Sequence, residues 1–412
     1  MVSSDHDSRI RLLEVRMKGR QMGQLLKDSQ YEFRYLVADN NQAPVGLLMP
    51  PHTMTWRSAA LFPVMDQNLP EGDLFNRLRQ WFPKQEMTAM RLLAMIGFNG
   101  IGRLGYQVPG QDLKTPGVVS RDVLLRLPYT DETFNELVAA YLSTGIGVSG
   151  MQPKILVSDR ITMPIPNLIV KTGASVYPGL AANEFLCMRA AATAGIQAAT
   201  VDLTDDGGML LVDRFDILPD GTRLGFEDVA SLMGLHVRDT LADRKYHGSY
   251  QRVAELLAMV APQPQTLARF FEQLAFSVMV GNGDAHLKNF AVLYNEEGFR
   301  PEVWLSPLFD VVSTRIYRYR RSPGGPELED NTMALRLLQG AKNRSKAYPL
   351  PAELASFGTR VCGVREPFKV FERLAQAMSD TLAAYRYDAR IPRDLVQDLE
   401  PLWQRGMRYG MS

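Results

Sequence analysis

The segment GNGDAHLKNF, residues 281–290, is the most informative part of this 412-residue chain. Upstream, apolar residues recur at helical spacing over residues 267–278, and two glycines then break that pattern. Downstream, residues 290–294 have the composition of a buried strand. Asp284 and Asn289 are therefore predicted on a tight loop between two buried elements, where a rigid scaffold holds polar side chains in place.

The spacing of Asp284, His286 and Asn289 resembles that of the catalytic loop of kinases. Phosphoryl transfer needs a carboxylate that orients the attacking hydroxyl and an amide oxygen that helps to hold magnesium. Asp310, behind a strand-like run at residues 302–305, supplies a second carboxylate for the other side of the metal. Each residue taken alone is more often a turn residue, but together they predict a phosphoryl-transfer site.

Composition places the chain among ordinary globular proteins of two or three domains, with 46% apolar and 22% charged residues. The net charge of +1 argues against a general nucleic-acid-binding role, though not against a local basic patch. Cys187 and Cys362 are too few for a disulfide framework or a cysteine zinc cluster. Residues 1–9 lack the apolar core of a signal peptide, and no apolar run is long enough for a spanning helix. We expect a cytoplasmic protein with no membrane partner.

Residues 1–110 are predicted to form a small α+β unit. Alternating residues at 31–35 predict a half-buried strand, residues 45–49 a second strand, and residues 87–96 a helix. None of these segments has a catalytic composition, so we interpret the unit as a structural or partner-binding module. Prolines and glycines at residues 107–120 indicate a linker to the rest of the chain.

Residues 145–150, GIGVSG, form a glycine-rich pattern with three interpretations. A dinucleotide-binding fold needs a helix after the glycines, whereas Pro153 and the β-branched residues that follow predict a strand. A glycine loop that enters a strand is the kinase arrangement, in which backbone N–H groups cover the phosphates. A plain hairpin turn is the third interpretation. In the kinase interpretation the loop residues that contact the nucleotide are Gly147, Val148, Ser149 and Gly150.

Two charged residues follow in the order expected of a kinase. Lys171 ends the predicted strand at residues 167–171, and Glu184 opens a helical pattern soon after it. In kinases a strand lysine contacts the α- and β-phosphates and pairs with a helix glutamate. A lone lysine at a strand end is usually solvated, but the position of Lys171 between the glycine loop and Asp284 favours a nucleotide contact.

Order and composition place two further segments. Phe226 precedes a predicted helix at residues 227–235, where a hinge between two lobes would meet adenine. Basic and aromatic residues at 315–321 would suit a contact with nucleic acid, a protein-substrate segment or a solvated strand edge. Residues 350–411 are predicted to be mostly helical and carry no assignable chemistry.

With these motifs in order, the chain resembles the HipA-like toxin kinases, which are serine/threonine protein kinases of type II toxin–antitoxin systems. The resemblance spans nearly the whole chain, and the motif GDAHLKNF at residues 283–290 is its most specific part. Residues 149–154, SGMQPK, match the family signature S-G-x-Q-x-K. Residues 212–216, VDRFD, are similar to the family's E-R-F-D strand, with Asp213 in place of glutamate.

The resemblance implies an α+β, two-lobed protein-kinase-like fold with an extra N-terminal α/β subdomain and a mostly helical C-terminal lobe. The implied N-terminal subdomain covers residues 1–110. A region like a kinase N-lobe, with the glycine loop and the strand lysine, covers residues 111–235. A helical C-lobe with the catalytic loop and the metal-binding aspartate covers residues 236–412.

The resemblance also implies an activity, the transfer of phosphate from ATP with Mg²⁺ to a protein serine or threonine. In the best-known members the target is an aminoacyl-tRNA synthetase, and translation and growth stop. A small helix-turn-helix antitoxin usually neutralises such toxins and carries the complex to operator DNA. By this resemblance Asp284 is the catalytic base, His286 positions the loop, Lys171 binds phosphate, and Asn289 and Asp310 hold magnesium.

Many family members autophosphorylate a serine of the glycine loop, and some carry the pattern S-x-S. Here Gly147 stands at the first serine position and Ser149 at the second. We predict autophosphorylation at Ser149, because a phosphate between Gly147 and Gly150 would compete with ATP for the same N–H groups.

Two other functions stay open. The pattern Asp-x-His-x-x-Asn also resembles the loops of antibiotic phosphotransferases, so a small-molecule kinase is one alternative, although the N-terminal module and the S-G-x-Q-x-K signature favour a protein kinase. The other alternative is a catalytically silent, DNA-bound partner of a helix-turn-helix repressor. The presence of Lys171, Asp284, Asn289 and Asp310 argues against it.

Overall fold

The computed structural model covers most of the chain, and the predicted glycine loop at residues 145–150 lies outside the described residues. So does most of the predicted linker. The described residues are 10–37, 42–69, 75, 79, 86–98, 100–111, 120–130, 132–133, 154–157, 168–172, 177–237, 239–295, 300–320, 327–340 and 345–411.

The first unit is an antiparallel sheet with its own core. Its elements are β1 (Leu12–Met17), β2 (Arg20–Lys27), β3 (Tyr31–Tyr35), β4 (Thr55–Ser58), α1 (Pro63–Asp66), α2 (Ala89–Ile96) and β5 (Gly105–Gln107). The strands pair in the order β4-β3-β2-β1-β5. Because side chains alternate along a strand, Leu13 and Val15 of β1 share one buried face with Phe33 and Tyr35 of β3. Buried residues of α1 and α2 belong to the same core.

Two of the predicted elements of this unit are confirmed and one is wrong. Strand β3 and helix α2 form as expected, and the Thr88 side chain caps α2 by accepting from the Arg91 N–H at 3.2 Å. Residues 45–49 form a turn instead of a strand, held by the Met49 N–H to the Gly46 carbonyl at 2.9 Å. Val45 and Met49 of this turn are buried in the core of the unit, Gly46 lies directly on Val64 of α1, and Leu48 is exposed.

The second sheet carries the predicted strand lysine. Its elements are α3 (Arg121–Arg126), β6 (Lys154–Val157), β7 (Leu168–Thr172), α4 (Leu180–Thr193), β8 (Val201–Leu203) and β9 (Met209–Asp213). The antiparallel strands pair in the order β6-β7-β9-β8, and Lys171 lies opposite Leu210 of β9. The alanine-rich helix α4 packs closely against β8 and β9, which places its buried residue Glu184 beside β7.

A three-stranded sheet lies between the first unit and the helical C-terminal half. Its elements are β10 (Gly225–Asp228), α5 (Val229–Leu232), β11 (Ala291–Tyr294) and β12 (Val303–Leu305). The predicted helix at residues 227–235 is therefore wrong at its start, since Glu227 and Asp228 pair with β11 as a strand. Asp228 then begins α5 as its N-cap, because its carboxylate accepts from the Ser231 N–H at 2.7 Å.

The C-terminal half is mostly helical, as predicted. Its main helices are α6 (Tyr250–Val260), α7 (Thr266–Met279), α8 (Pro351–Arg360), α9 (Pro367–Tyr385) and α10 (Arg393–Met407). Helix α7 is buried at its centre, and α10 crosses it so closely that a Cβ on Gly406 would lie 1.8 Å from the Met279 carbonyl oxygen. None of the helices in the described ranges combines the length and apolar character needed to cross a membrane.

The basic run at residues 315–321 ends in a strand. A 3₁₀ turn at Thr314–Ile316 leads into β13 (Arg318–Arg320), which pairs with β14 (Glu327–Glu329). Arg318 lies 4.0 Å from Glu327 and 3.7 Å from Glu329. The described part of the run therefore matches the strand-edge alternative, with acidic partners on the neighbouring strand.

The first unit docks on β10 through side-chain contacts to backbone groups. The Gln67 amide donates to the Phe226 carbonyl at 2.7 Å and accepts from the Asp228 N–H at 3.0 Å, as a neighbouring strand would. Glu227 accepts from the Leu47 N–H and the Tyr294 hydroxyl, both at 2.7 Å. This docking closes one side of the cavity described next.

Candidate active site

A cavity of about 710 Å³ lies where the first unit, the second sheet and the helical half meet. Its volume is within the roughly 300–1,000 Å³ typical of small-ligand sites. Its walls come from parts of the chain that are far apart in sequence. The predicted site residues that line it are Lys171, Phe226, Asp284, His286, Asn289 and Asp310.

The loop that carries Asp284 is held by close backbone contacts. The Gly283 N–H donates to the Thr314 hydroxyl at 2.7 Å, and a Cβ on Gly283 would lie 2.8 Å from the Thr332 carbonyl oxygen. Only glycine fits that approach. The Asp284 N–H donates to the Asn282 side chain at 3.0 Å, which fixes the turn before the catalytic position.

His286 and Asn289 clamp each other across a short 3₁₀ turn. The His286 N–H donates to Asn289 Oδ1 at 3.2 Å, and the Asn289 N–H donates to the His286 carbonyl at 3.0 Å. Burial, with a further contribution from the nearby Lys245 cation, lowers the pKa of His286 well below its usual range. Both hydrogen bonds use the backbone of His286, and the positioning role of its imidazole stays a prediction.

Lys171 joins two carboxylates at the back of the cavity. Its Nζ lies 2.5 Å from Glu184 Oε1 on α4 and 2.5 Å from Asp310 Oδ1. Burial opposes the charged form of Lys171, but the charges of Asp310 and Glu184 outweigh it and raise the pKa of the lysine. The ammonium is therefore held charged and aimed at the cavity.

Asp310 is placed by a strained backbone. Its φ of 59° lies in the left-handed region, which residues other than glycine rarely adopt. Such strain costs on the order of 1–3 kcal/mol and collects at functional sites. The Asp310 side chain stays 28% exposed, whereas the side chains of Lys171 and Glu184 are 5% and 1% exposed. Asp310 is thus the most exposed member of this group, and Lys171 also lines the cavity.

Asn289 and Asp310 fit the requirements of a magnesium ion. The Asn289 Nδ2 lies 3.4 Å from Asp310 Oδ2, and Asn289 Oδ1 keeps a second lone pair beside the one that His286 uses. Magnesium usually binds through one or two protein oxygens and keeps waters or phosphates as its other ligands. The described residues include no group of three or more His, Cys, Asp and Glu side chains arranged for a metal. The role of Asn289 and Asp310 as magnesium ligands stays a prediction.

Phe226 belongs to an aromatic wall of the cavity. Its ring centroid lies 6.2 Å from that of Phe215 and 6.1 Å from that of Phe309. Flat apolar rings suit the faces of a purine base. The adenine contact of Phe226 stays a prediction, and the loop residues Gly147, Val148, Ser149 and Gly150 lie outside the described part of the chain.

Sequence reasoning missed the role of Tyr246. Its hydroxyl donates to Asp284 Oδ1 at 2.8 Å, and its ring meets the His286 ring edge to face at 5.1 Å between centroids. The Tyr246 carbonyl accepts from Lys346 at 2.9 Å. Tyr246 and Asp284 are 38 positions apart, and no local pattern in the sequence indicates their contact.

The first unit also contributes to the cavity, which its composition did not indicate. Gln67, Asn68 and Ile101 form part of the cavity wall. The interpretation of residues 1–110 as a purely structural or partner-binding module was therefore incomplete.

A strand lysine, paired with a helix glutamate, lines one cavity with an Asp-x-His-x-x-Asn loop and a half-buried aspartate. This arrangement resembles the site of a kinase. A family model described as the HipA-like C-terminal domain matches residues 146–385, more than half of the chain. A second model, the HipA N-terminal domain, matches residues 13–107. The chain belongs to the HipA-like family, as the sequence motifs predicted.

Similar proteins carry related names. A Sinorhizobium fredii protein named "Putative kinase Y4mE" is 26% identical over 341 residues, which are 75% of this chain and 78% of that protein. A Shewanella oneidensis protein named "Serine/threonine-protein kinase toxin HipA" is 28% identical over 159 residues, covering 34% of this chain and 36% of that protein.

A solved structure has the same overall fold. It is the complex of HipA and HipB of Shewanella oneidensis MR-1 with operator DNA, and the match has a TM-score of 0.68 at 20% identity. The match covers 97% of this chain and 96% of that one. The predicted α+β fold, with a β-sheet N-terminal part and a helical C-terminal region, is confirmed.

Proposed function

We propose that this protein is an ATP- and Mg²⁺-dependent serine/threonine protein kinase that acts as the toxin of a toxin–antitoxin pair. The observation that carries the proposal is the convergence of Lys171, Asp284, Asn289 and Asp310 on one cavity. These groups supply the cation, the base and the metal ligands that phosphoryl transfer requires.

Each of these side chains has a defined task in the proposed reaction. Lys171, anchored by Glu184, contacts the α- and β-phosphates. Asn289 and Asp310 hold the magnesium, which when bound neutralises charge on the phosphates. Asp284 orients the acceptor hydroxyl and takes its proton while the bond from the γ-phosphorus to the ADP oxygen breaks and a bond to the serine or threonine oxygen forms. The products are ADP and a phosphoprotein.

The choice of a protein substrate rests on the family. The relative from Shewanella oneidensis is named a serine/threonine-protein kinase toxin, and the first unit adds a second module to the kinase-like part. We propose that the substrate is a translation-related protein such as an aminoacyl-tRNA synthetase, phosphorylated in the cytoplasm.

We propose a helix-turn-helix antitoxin as the regulatory partner. The solved structure with the same fold contains HipB and operator DNA together with HipA. With a net charge of +1, this chain would reach DNA only through such a partner. Co-purification with the product of a neighbouring helix-turn-helix gene, and loss of kinase activity in that complex, would support this assignment.

Autophosphorylation at Ser149 is a separate proposal. Ser149 stands between two glycines of the predicted phosphate loop, where a phosphate would compete with ATP. Phosphopeptide mapping after incubation with ATP should find phosphate on Ser149. Phosphate on other residues, with Ser149 unmodified, would contradict it.

The first test is transfer of γ-labelled phosphate from ATP with Mg²⁺ to proteins of a bacterial lysate. Asp284→Asn, which keeps an acceptor for the Tyr246 hydroxyl but removes the base, should lower transfer by about 10²–10⁴-fold. Asp394→Asn, on the exposed side of α10, is the matched control and should behave like the unmodified protein.

The other outcomes distinguish the alternatives. No labelled protein, but ATP consumption with small metabolites or aminoglycosides, would indicate a small-molecule kinase. A folded protein that binds no nucleotide, and binds operator DNA by itself, would indicate the silent DNA-bound partner, and its affinity should fall with salt.

A further inference from the structure

Lys245 is a buried cation that none of the described carboxylates neutralises. The residue is 4% exposed, lies in the last turn of the 3₁₀ segment Asp239–Tyr246 and lines the cavity. Its Nζ lies 5.3 Å from the centre of the Tyr246 ring. Within the described ranges the ammonium group of Lys245 makes no hydrogen bond or ion pair.

This isolation sets Lys245 apart from other buried cations of the protein. Lys171 contacts Glu184 and Asp310, and Arg214 contacts Asp216. Burying an ammonium away from water without an anionic partner is costly, and the face of one tyrosine ring returns only a part of that cost. We therefore expect a ligand that binds in the cavity to place an anionic group next to the Lys245 ammonium.

The surroundings of Lys245 indicate which part of the cavity that anion occupies. The next residue, Tyr246, donates its hydroxyl to Asp284 at 2.8 Å and packs on His286. Burial has the largest effect on the pKa of His286 and lowers it. The charge of Lys245 lowers this pKa further, and the charge of Asp310 raises it. Lys245 therefore lines the cavity beside the residue that contacts the proposed base.

We propose that Lys245 binds the transferring γ-phosphoryl group, on the side of the cavity opposite Lys171. This inference rests on the proposed kinase function. Lys171 then holds the α- and β-phosphates, and Lys245 holds the group that moves. As the bond to the ADP oxygen breaks and the bond to the acceptor oxygen forms, with the acceptor proton passing to Asp284, the phosphoryl oxygens stay negatively charged next to the Lys245 ammonium.

The test compares the affinities of the full-length protein for Mg·ATP and Mg·ADP by calorimetry. Lys245→Met keeps the apolar stem and removes the charge. It should weaken ATP binding by about tenfold or more and change ADP binding by less than about twofold, since only ATP carries the γ-phosphate. Lys369→Met, an exposed change on α9, is the control for loss of one positive charge and should alter neither affinity.

A second measurement separates phosphate binding from a structural role. Lys245→Met should lower kcat by about tenfold or more, and Lys245→Arg should restore part of it because arginine keeps the charge. Equal loss of ATP and ADP affinity together with a lower melting temperature would overturn the inference in favour of a structural lysine. Unchanged nucleotide affinities with a raised KM for the protein acceptor would overturn it in favour of an acidic group on the acceptor. If the unmodified protein binds neither nucleotide, the kinase proposal itself fails.

Discussion

Two clusters of charge in this protein each pair a buried cation with an aspartate. In one, Lys171 lies 2.5 Å from Asp310 at the back of the cavity. In the other, Arg214 donates to Asp216 at 2.9 Å, where the first unit docks on the second sheet. Both join a cation to a carboxylate away from bulk water, yet only the first has features of a reactive site.

The difference lies in what surrounds each pair. Asp216 also accepts from the Gly102 N–H at 2.7 Å, Arg214 also donates to the Gly100 carbonyl at 2.9 Å, and their side chains are 2% and 0% exposed. Asp310 is 28% exposed and has a strained backbone. Both clusters contribute to the cavity wall. A buried ion pair there is thus weak evidence of function, and a partly exposed carboxylate on a strained backbone is stronger evidence.

The same substitution in both clusters tests this distinction most directly, beginning with Asp310→Asn. Asparagine tolerates the left-handed backbone, and Lys171 keeps Glu184 as its partner. Because a metal ligand supplies several kcal/mol of transition-state stabilisation, phosphoryl transfer should fall by at least about 10²-fold. The free energy of unfolding in urea should change by less than about 1 kcal/mol. A large loss of stability with activity retained would reverse the roles assigned to the two clusters.

Asp216→Asn should show the opposite pattern. It removes the charge of the carboxylate that the guanidinium groups of Arg214 and Arg223 face in the buried interface. Breaking a buried pair in this way costs about 3–5 kcal/mol. The urea midpoint should fall accordingly, while the transfer rate per folded molecule stays close to that of the unmodified protein. Normal stability with lost activity would place Asp216 in the active site instead.

The residues of the candidate active site differ in how well they could be predicted from the sequence. Asp284, His286 and Asn289 are close together in the chain, so their spacing alone predicts the chemistry of the loop. Lys171 and Asp310 could be ordered relative to that loop, and the structure brings them within 2.5 Å of each other. Their roles in the reaction stay predictions.

Contacts that form only when the first unit docks on the rest of the protein could not be predicted from the sequence. Gln67 reaches β10 across 161 positions of sequence, and no local pattern marks an amide for that purpose. Glu227 and Asp228 were predicted as the start of a helix for a similar reason, because pairing of their strand with β11 is a tertiary interaction that outweighs local preference. The N-terminal wall of the cavity and the contact of Tyr246 with Asp284 are also tertiary contacts, which no local sequence pattern indicates.

Glu227, in the docking interface, should make that interface sensitive to pH. Burial raises its pKa from 4.5 to about 7, with Arg103 opposing the shift and Asp228 adding to it. The folded protein then holds this proton more tightly than the unfolded chain. Stability from Glu227 is present below about pH 4.5 and is lost as the pH rises through about 7, by up to about 3 kcal/mol.

The measurement is the free energy of unfolding in urea at pH 5 and pH 8. Glu227→Gln keeps an acceptor for the Leu47 N–H and the Tyr294 hydroxyl but does not titrate. The loss of stability between pH 5 and pH 8 should therefore be smaller in this variant. The same loss in both proteins would mean that Glu227 is already ionised at pH 5 in the folded state.

At the active site, Tyr246→Phe should have the smallest effect and the most specific one. It removes only the hydroxyl that donates to Asp284 and leaves the ring against His286. The hydrogen bond favours the ionised carboxylate, so the acid limb of the kcat/KM profile should move to higher pH, and kcat should fall about tenfold, or about 1.4 kcal/mol. Tyr250→Phe is the matched control, since its hydroxyl donates to the neutral Ala285 carbonyl at 2.9 Å. A shifted acid limb in both variants would show that the loop has moved as a whole, and a shift in Tyr246→Phe alone would identify Tyr246 as the residue that positions the base.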